Sequence, residues 1–258
     1  MLSRQEIKNI TALHHKKFRQ LEKTFIAEGD KIVRDAIQAS IKITQIYFTA
    51  ENSEEIQTIA RSHGIDSLEV SESEMKKISC LSSPPGVLAI CRQHESDLKM
   101  TALKGKLSIV LDDIRDPGNL GTIIRIADWF GISYVICSSQ TAECYNPKVV
   151  QAAMGSLFRV KVEYIDLDVL FSMNRENAFI PVYAAMLGGE SVYDSELNSE
   201  ALLMIGNESA GIGTQLMKFI DRKIMIPEFS IAENGKPDSL NASVATGIIC
   251  SEFRRRFR

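Results

Sequence analysis

The chain has 258 residues, 45% hydrophobic and 24% charged, with a formal net charge of −3. That composition is ordinary for a folded globular chain, excludes disorder, and gives no whole-molecule support for nucleic-acid binding. No run of about 18 apolar residues offers a membrane span, and the opening MLSRQEIKNI is too charged for a signal peptide, so a cytoplasmic protein is expected.

In chain order, the first stretch reads as helical, and KTFIAEG (23–29) as a short strand. Ile32, Val33, Ala36 and Ile37 then follow at helical spacing. A strand within 41–50, helices over 54–63 and 71–78, and the strand GVLAICR complete a β-α-β-α-β pattern. That alternation favours a small α/β sandwich. Residues 1–95 form the expected first domain, and the polar stretch 96–106 an expected linker. Residues 107–258 restart with LSIVLDD, where strands and helices alternate down to a closing helix from about Asn241 to Phe257. Apolar strands alternating with helices predict a mostly parallel sheet covered on both faces.

Charge and cysteine are distributed unevenly. Residues 1–34 carry eight Lys and Arg against four acids, with Lys16, Lys17 and Arg19 as candidates to face a phosphate backbone. The C-terminal Arg254, Arg255, Arg256 and Arg258 fit either a phosphate grip or a solvated helix end favoured by the helix dipole. Five scattered cysteines with no C-x-x-C pair argue for reduced, buried thiols, with neither a disulfide framework nor a metal site.

Three segments carry chemistry. In DDIRDPGNLGTIIRIADWFGI (112–132) a strand ends in acids, Pro117-Gly118 turns the chain, and Asn119 is expected as the helix N-cap with Arg125 further along. Ligands in open α/β sheets bind at the carboxyl ends of the strands, which places both residues near a site. In ALLMIGNESAGIG (201–213) a buried strand runs into Gly206, Asn207 and Glu208, and Gly211 permits close backbone approach. Neither a Walker loop nor G-x-G-x-x-G spacing is present, so a phosphate cradle is disfavoured. In KIMIPEFSIAENGKPDSLNASVATGI (223–248) Ser239 or Asn241 would cap the last helix, whose apolar stripe suits core or a dimer face.

Taken in order, Asn-x5-Arg after a strand, then I-G-N-E-S-x-G, then I-P followed by S-L-N-A-S-V-A-T-G, resemble the SpoU (TrmH-like) branch of the SPOUT methyltransferases. Phe25, Ala27-Glu28-Gly29, Val33 and Ser83-Pro84-Pro85-Gly86-Val87 are similar to that family's substrate-binding domain. The resemblance implies a trefoil knot in the C-terminal domain, a homodimer, and RNA (ribosomal or transfer) as substrate. It implies S-adenosylmethionine as cofactor, held by Gly206, Asn207, Gly211, Ile226 and Leu240 with Ala185, Met186 and Leu187. It also implies that Arg125 holds the ribose 2′-oxygen while Asn119, Glu208, Ser239 and Asn241 shape the site. Guanidinium keeps its proton in proteins, so Arg125 is expected as an electrostatic clamp, not a base. Relatives usually carry a shorter loop after Ile-Pro; here Glu228 to Asp238 lengthens it beside the cofactor residues. The alternative is an RNA-binding protein that has kept the fold and lost turnover.

Overall fold

The computed structural model describes residues 1–96, 98–177, 179–230 and 239–257. Its contacts divide the chain into two compact units, Met1–Glu95 with Glu143–Arg159, and Ser96–Ala142 with Val160–Arg258. The lengthened loop at 231–238 and Arg258 lie outside the described residues.

The first unit begins with α1 (Arg4–Ala12) and α2 (Lys16–Glu22), followed by β1 (Thr24–Glu28) and α3 (Asp30–Gln38). Then come β2 (Ile43–Phe48), α4 (Ser53–Ser62), β3 (Ser67–Glu69), α5 (Glu72–Ile78) and β4 (Val87–Arg92). The sheet order is β1-β4-β2-β3. Helices α1 and α5 both start with a capping box, Ser3 with Glu6 and Ser71 with Glu74, which satisfies otherwise orphaned N–H groups. The three-residue β3 pairs parallel to β2, too short to be foreseen from alternation. Core residues Ile10, Tyr47, Met75 and Ile78 pack these helices onto the sheet.

The second unit supplies β5 (Leu107–Leu111), α6 (Pro117–Trp129) and β6 (Tyr134–Cys137). The chain next contributes α7 (Pro147–Ala153) to the first unit, where Phe25 of β1 lies 4.6 Å from the Tyr145 ring. It returns with β7 (Lys161–Tyr164), α8 (Leu167–Asn177), β8 (Val182–Ser191), β9 (Ala201–Ile205), β10 (Arg222–Met225) and α9 (Ala242–Arg256). The order is β10-β8-β9-β5-β6-β7, and every adjacent pair is parallel. LSIVL and ALLMI are buried at every position, as strands covered on both faces must be. One face packs Val182, Ala184 and Met204 against Leu170 and Phe171 of α8. Tyr183, which alternation points the other way, meets Phe253 of α9 edge-on at 5.3 Å. Among the described residues no helix is long and apolar enough to cross a membrane.

The C-terminal arginines are structural where described. Arg254 donates to the carbonyls of Phe130 and Gly131 just past α6, at 2.7 and 3.0 Å. Arg256 donates to the carbonyls of Val192, Tyr193 and Ser195, and both Arg255 and Arg256 pair with the buried Glu252. Hydrogen bonds from Arg255, then Arg256, outweigh burial and hold the Glu252 carboxyl down at about 2. A depressed carboxylate contributes stability above its ordinary range, and that contribution drains away as pH falls from 4.5 towards about 2. Glu252→Gln should therefore be less stable than wild type at neutral pH, with the two thermal midpoints converging as the solution is acidified through that window.

Candidate active site

Helix α6 starts one turn earlier than expected. Asp116, not Asn119, is its N-cap, accepting the Asn119 N–H at 2.8 Å, and Pro117 takes the first helical position. Pro lacks the donor that would be orphaned there, which suits it to that place. Asn119 is thus the third helical residue, and its side chain is free for other work. Its amide nitrogen donates to Glu208 Oε1 at 2.5 Å, and its amide oxygen accepts from Asn241 Nδ2 at 2.8 Å. Asn241 in turn caps α9, accepting from the Ser243 and Val244 N–H groups. One hydrogen-bonded chain thereby joins the three sequence segments.

The turn after β9 is held just as tightly. Asn207 and Gly211 exchange backbone hydrogen bonds at 3.0 and 2.9 Å, and Asn207 Nδ2 reaches the Asp113 carbonyl at 2.8 Å. A Cβ on Gly206 would stand 2.4 Å from the Gly211 carbonyl carbon, so only glycine lets this turn close. Strand β8 contributes an excursion. Successive β10 residues Lys223 and Ile224 pair with Ala184 and Glu190, so residues 185–189 leave the β10 ladder while Ala185 stays paired with Ile205 of β9.

These pieces enclose a cavity of about 480 Å³. Ala185, Met186 and Leu187 line it from β8, and Gly206, Asn207 and Gly211 from the turn. Ile226 follows β10, and Leu240 precedes α9. The eight residues expected to hold a cofactor thus share one cavity, with Glu208 and Ser239 in the same lining. Sequence reasoning missed Ala242, Ala245 and Ile249, which line it from α9. Their i, i+3, i+7 spacing was visible, but a helical apolar stripe gives no sign of whether it faces core or ligand.

Arg125 stands apart. It is exposed on α6, outside the lining, with no hydrogen-bond or ion-pair partner among the described residues. Trp129, one turn on along the same face, is 86% exposed.

The first unit offers Lys16 and Lys17 at its surface, but not Arg19. The Arg19 side chain is 2% exposed, committed to Glu143 through two bonds and to the Leu13 and His14 carbonyls. It cannot face RNA; the periodicity of a seven-residue helix was too short to reveal its buried side. Arg19→Ala leaves Glu143 uncompensated and should cost about 3–5 kcal/mol of stability, read by denaturant unfolding.

An open parallel sheet with a mostly apolar cavity beyond its strand ends, edged by a few fixed polar side chains, defines a cofactor-binding α/β enzyme. Residues 106–251 match the SpoU rRNA Methylase family, and residues 4–89 match the MRM3-like substrate binding domain. The 23S rRNA (guanosine(2553)-2′-O)-methyltransferase RlmP of Bacillus subtilis is 30% identical over 253 residues, 97% of this chain and 96% of its own. An AdoMet-bound rRNA methyltransferase from Sinorhizobium meliloti superposes with TM-score 0.86 at 31% identity, over 100% of this chain and 97% of that one. A TrmH-family chain from Porphyromonas gingivalis gives 0.84 at 34%, covering 99% of both. The chain belongs to the SpoU rRNA methylase family. It is an RNA methyltransferase whose cofactor is S-adenosylmethionine.

Proposed function

We propose that this chain methylates ribose 2′-hydroxyls of ribosomal RNA, acting as a homodimer. What carries the reading is the joining of Asn119, Glu208 and Asn241 into one hydrogen-bonded chain beside the cavity that Glu208 and Ser239 line. The cavity suits the cofactor: its volume lies in the range of small-molecule sites, and its glycine turn brings backbone groups close to whatever is bound. Gly206, Asn207, Gly211, Ile226 and Leu240 would hold the adenosyl and methionyl parts together with Ala185, Met186 and Leu187. Bound there, S-adenosylmethionine supplies an electrophilic methyl group on a sulfonium.

The protein's share is alignment and charge. Asn119, fixed at both ends of its amide, and Asn241, fixed as a helix cap, set the polar wall against which a ribose is oriented. Ser239 stands at the rim. Arg125 places positive charge beside the 2′-oxygen, favouring its alkoxide character and release of the proton to solvent. Because Arg125 lies outside its own chain's cavity, we infer that it serves the cavity of a second copy. The exposed Trp129 beside it and Val244 on α9 provide apolar surface for that contact. The knot belongs to the same reading, supported by the order β10-β8-β9-β5 and by the packing of α9 on α6. Lys16 and Lys17 are the proposed phosphate contacts of the first unit. The SpoU rRNA Methylase match and the rRNA activity named for the Bacillus subtilis relative support ribosomal over transfer RNA. A purely RNA-binding role is not favoured by these relatives.

The test is transfer of labelled methyl from S-adenosylmethionine to total RNA from a strain lacking the gene. Label recovered as 2′-O-methylnucleoside in ribosomal RNA supports the proposal. Label confined to transfer RNA overturns the substrate, and label in a base overturns the reaction.

A further inference from the structure

The turn between β5 and α6 carries a second arginine that the cavity and its network leave unused. Asp113 sits in the left-handed region at φ +60°, an unfavourable conformation for a residue with a Cβ. Its surroundings impose it. The Asp113 N–H donates to Ser138 Oγ at 2.9 Å, and its carbonyl accepts from Asn207 Nδ2 at 2.8 Å. Its carboxylate receives Arg115 in two bonds, Nε to Oδ1 at 2.9 Å and Nη2 to Oδ2 at 2.8 Å. The Arg115 side chain is nonetheless 71% exposed, and its Nη1 has no partner among the described residues. The pair therefore holds a guanidinium in one orientation with an edge turned to solvent.

Stability does not account for this arrangement, since exposed ion pairs contribute little to it. Charge does. Between Asp112 and Asn119 the turn bears three aspartates, and Arg115 is its one cation. A polyanion brought towards Asn119 meets those carboxylates unless positive charge is presented in front of them. A guanidinium fork fixed in direction is suited to a phosphodiester, because its planar donors match two oxygens at once.

We propose that Arg115 is a phosphate-binding residue that grips the RNA backbone beside the nucleotide being methylated, with Asp113 as its positioning residue. The proposal rests on the 2′-O-methyltransferase reading of this site.

The experiment measures equilibrium binding of the full chain to unmodified ribosomal RNA transcribed in vitro, over a series of KCl concentrations, and steady-state methyl transfer to the same transcript. Wild type is compared with Arg115→Ala, Arg115→Lys and Asp113→Asn. One lost phosphate contact should make the slope of log K against log [KCl] shallower by about 0.7–0.9 in Arg115→Ala. Arg115→Lys keeps the charge and should keep the wild-type slope. Asp113→Asn keeps the cation but loosens its direction. It should raise the KM for RNA about tenfold at unchanged kcat, the loss expected when a charge-assisted contact is misaligned. S-adenosylmethionine affinity should be the same in all four proteins. A wild-type salt slope in Arg115→Ala, or loss of cofactor binding in that variant, overturns the proposal. Absence of methyl transfer by the wild type on the same transcript instead refutes the underlying reading, which the slope comparison does not touch.

Discussion

Arg125→Ala is expected to slow methyl transfer to RNA by about 10²–10³-fold while leaving S-adenosylmethionine affinity unchanged, the range found when one donor to a developing oxyanion is removed. The two halves of that expectation come from separate observations. Arg125 is exposed and outside the cavity lining, so its loss should not disturb the pocket of its own chain. Its charge is unspent among the described residues, leaving it available to an anionic substrate. Lysine at this position should recover only part of the rate, since a point charge cannot reproduce a planar fork. A fall in cofactor affinity matching the fall in rate would show that Arg125 works through the cavity.

Gly206→Ala should do the opposite, weakening cofactor binding by at least about 100-fold, with loss of activity following from it. The added methyl would lie 2.4 Å from the Gly211 carbon, 2.6 Å from its oxygen and 2.6 Å from the Ile212 nitrogen. All three are backbone atoms, which cannot swing aside like the tip of a side chain, so the turn must open or the strand end must shift. Calorimetric titration with S-adenosylmethionine, beside a circular dichroism spectrum to confirm the fold, reads this directly. Wild-type affinity would mean that the turn yields more cheaply than its hydrogen bonds suggest.

The two variants together test the dimer. If Arg125 acts across an interface, mixing Arg125→Ala with Gly206→Ala under subunit exchange creates heterodimers with one intact site each. Random pairing should restore about a quarter of wild-type activity, half of the dimers carrying one site of two. If both residues serve the same chain, the mixture stays inactive.

Much of the fold was legible because the strands are short apolar runs between clear turn signals. LSIVL, YVIC and ALLMI announce themselves in this way, and S-x-x-E before α5 marks its start. Less legible were features decided by distant partners. The first residue of α6 depended on whether Asp116 or Asn119 spent its side chain on the cap, and both are good caps in isolation. Residues 143–159 read as part of the second domain's alternation, yet their contacts lie with Phe25, Glu28 and Asp35 in the first unit. The burial of Arg19 depends on Glu143, 124 positions away, which no local pattern encodes. At the site, the segments that hold Asn119, Glu208 and Asn241 were visible as motifs. That they bond to one another, and that α9 lends the cavity a wall, depends on the tertiary fold, beyond the reach of any local pattern.

The wall from α9 has a kinetic side. The cavity takes its lining from residues 185–187, 205–212, 217, 224–226 and 239–249, so it has no counterpart in any shorter stretch of chain. Contacts between such widely separated segments form late, because each must first meet the entropic cost of closing a long loop. During synthesis, the cofactor has nowhere to bind until the last helix has emerged and settled. Its binding energy is therefore unavailable to steer earlier stages and accrues only to the finished molecule, where it acts by mass action against unfolding. The cofactor concentration thus sets how strongly finished copies resist unfolding and the proteolysis that follows it, while partly folded ones gain nothing from it.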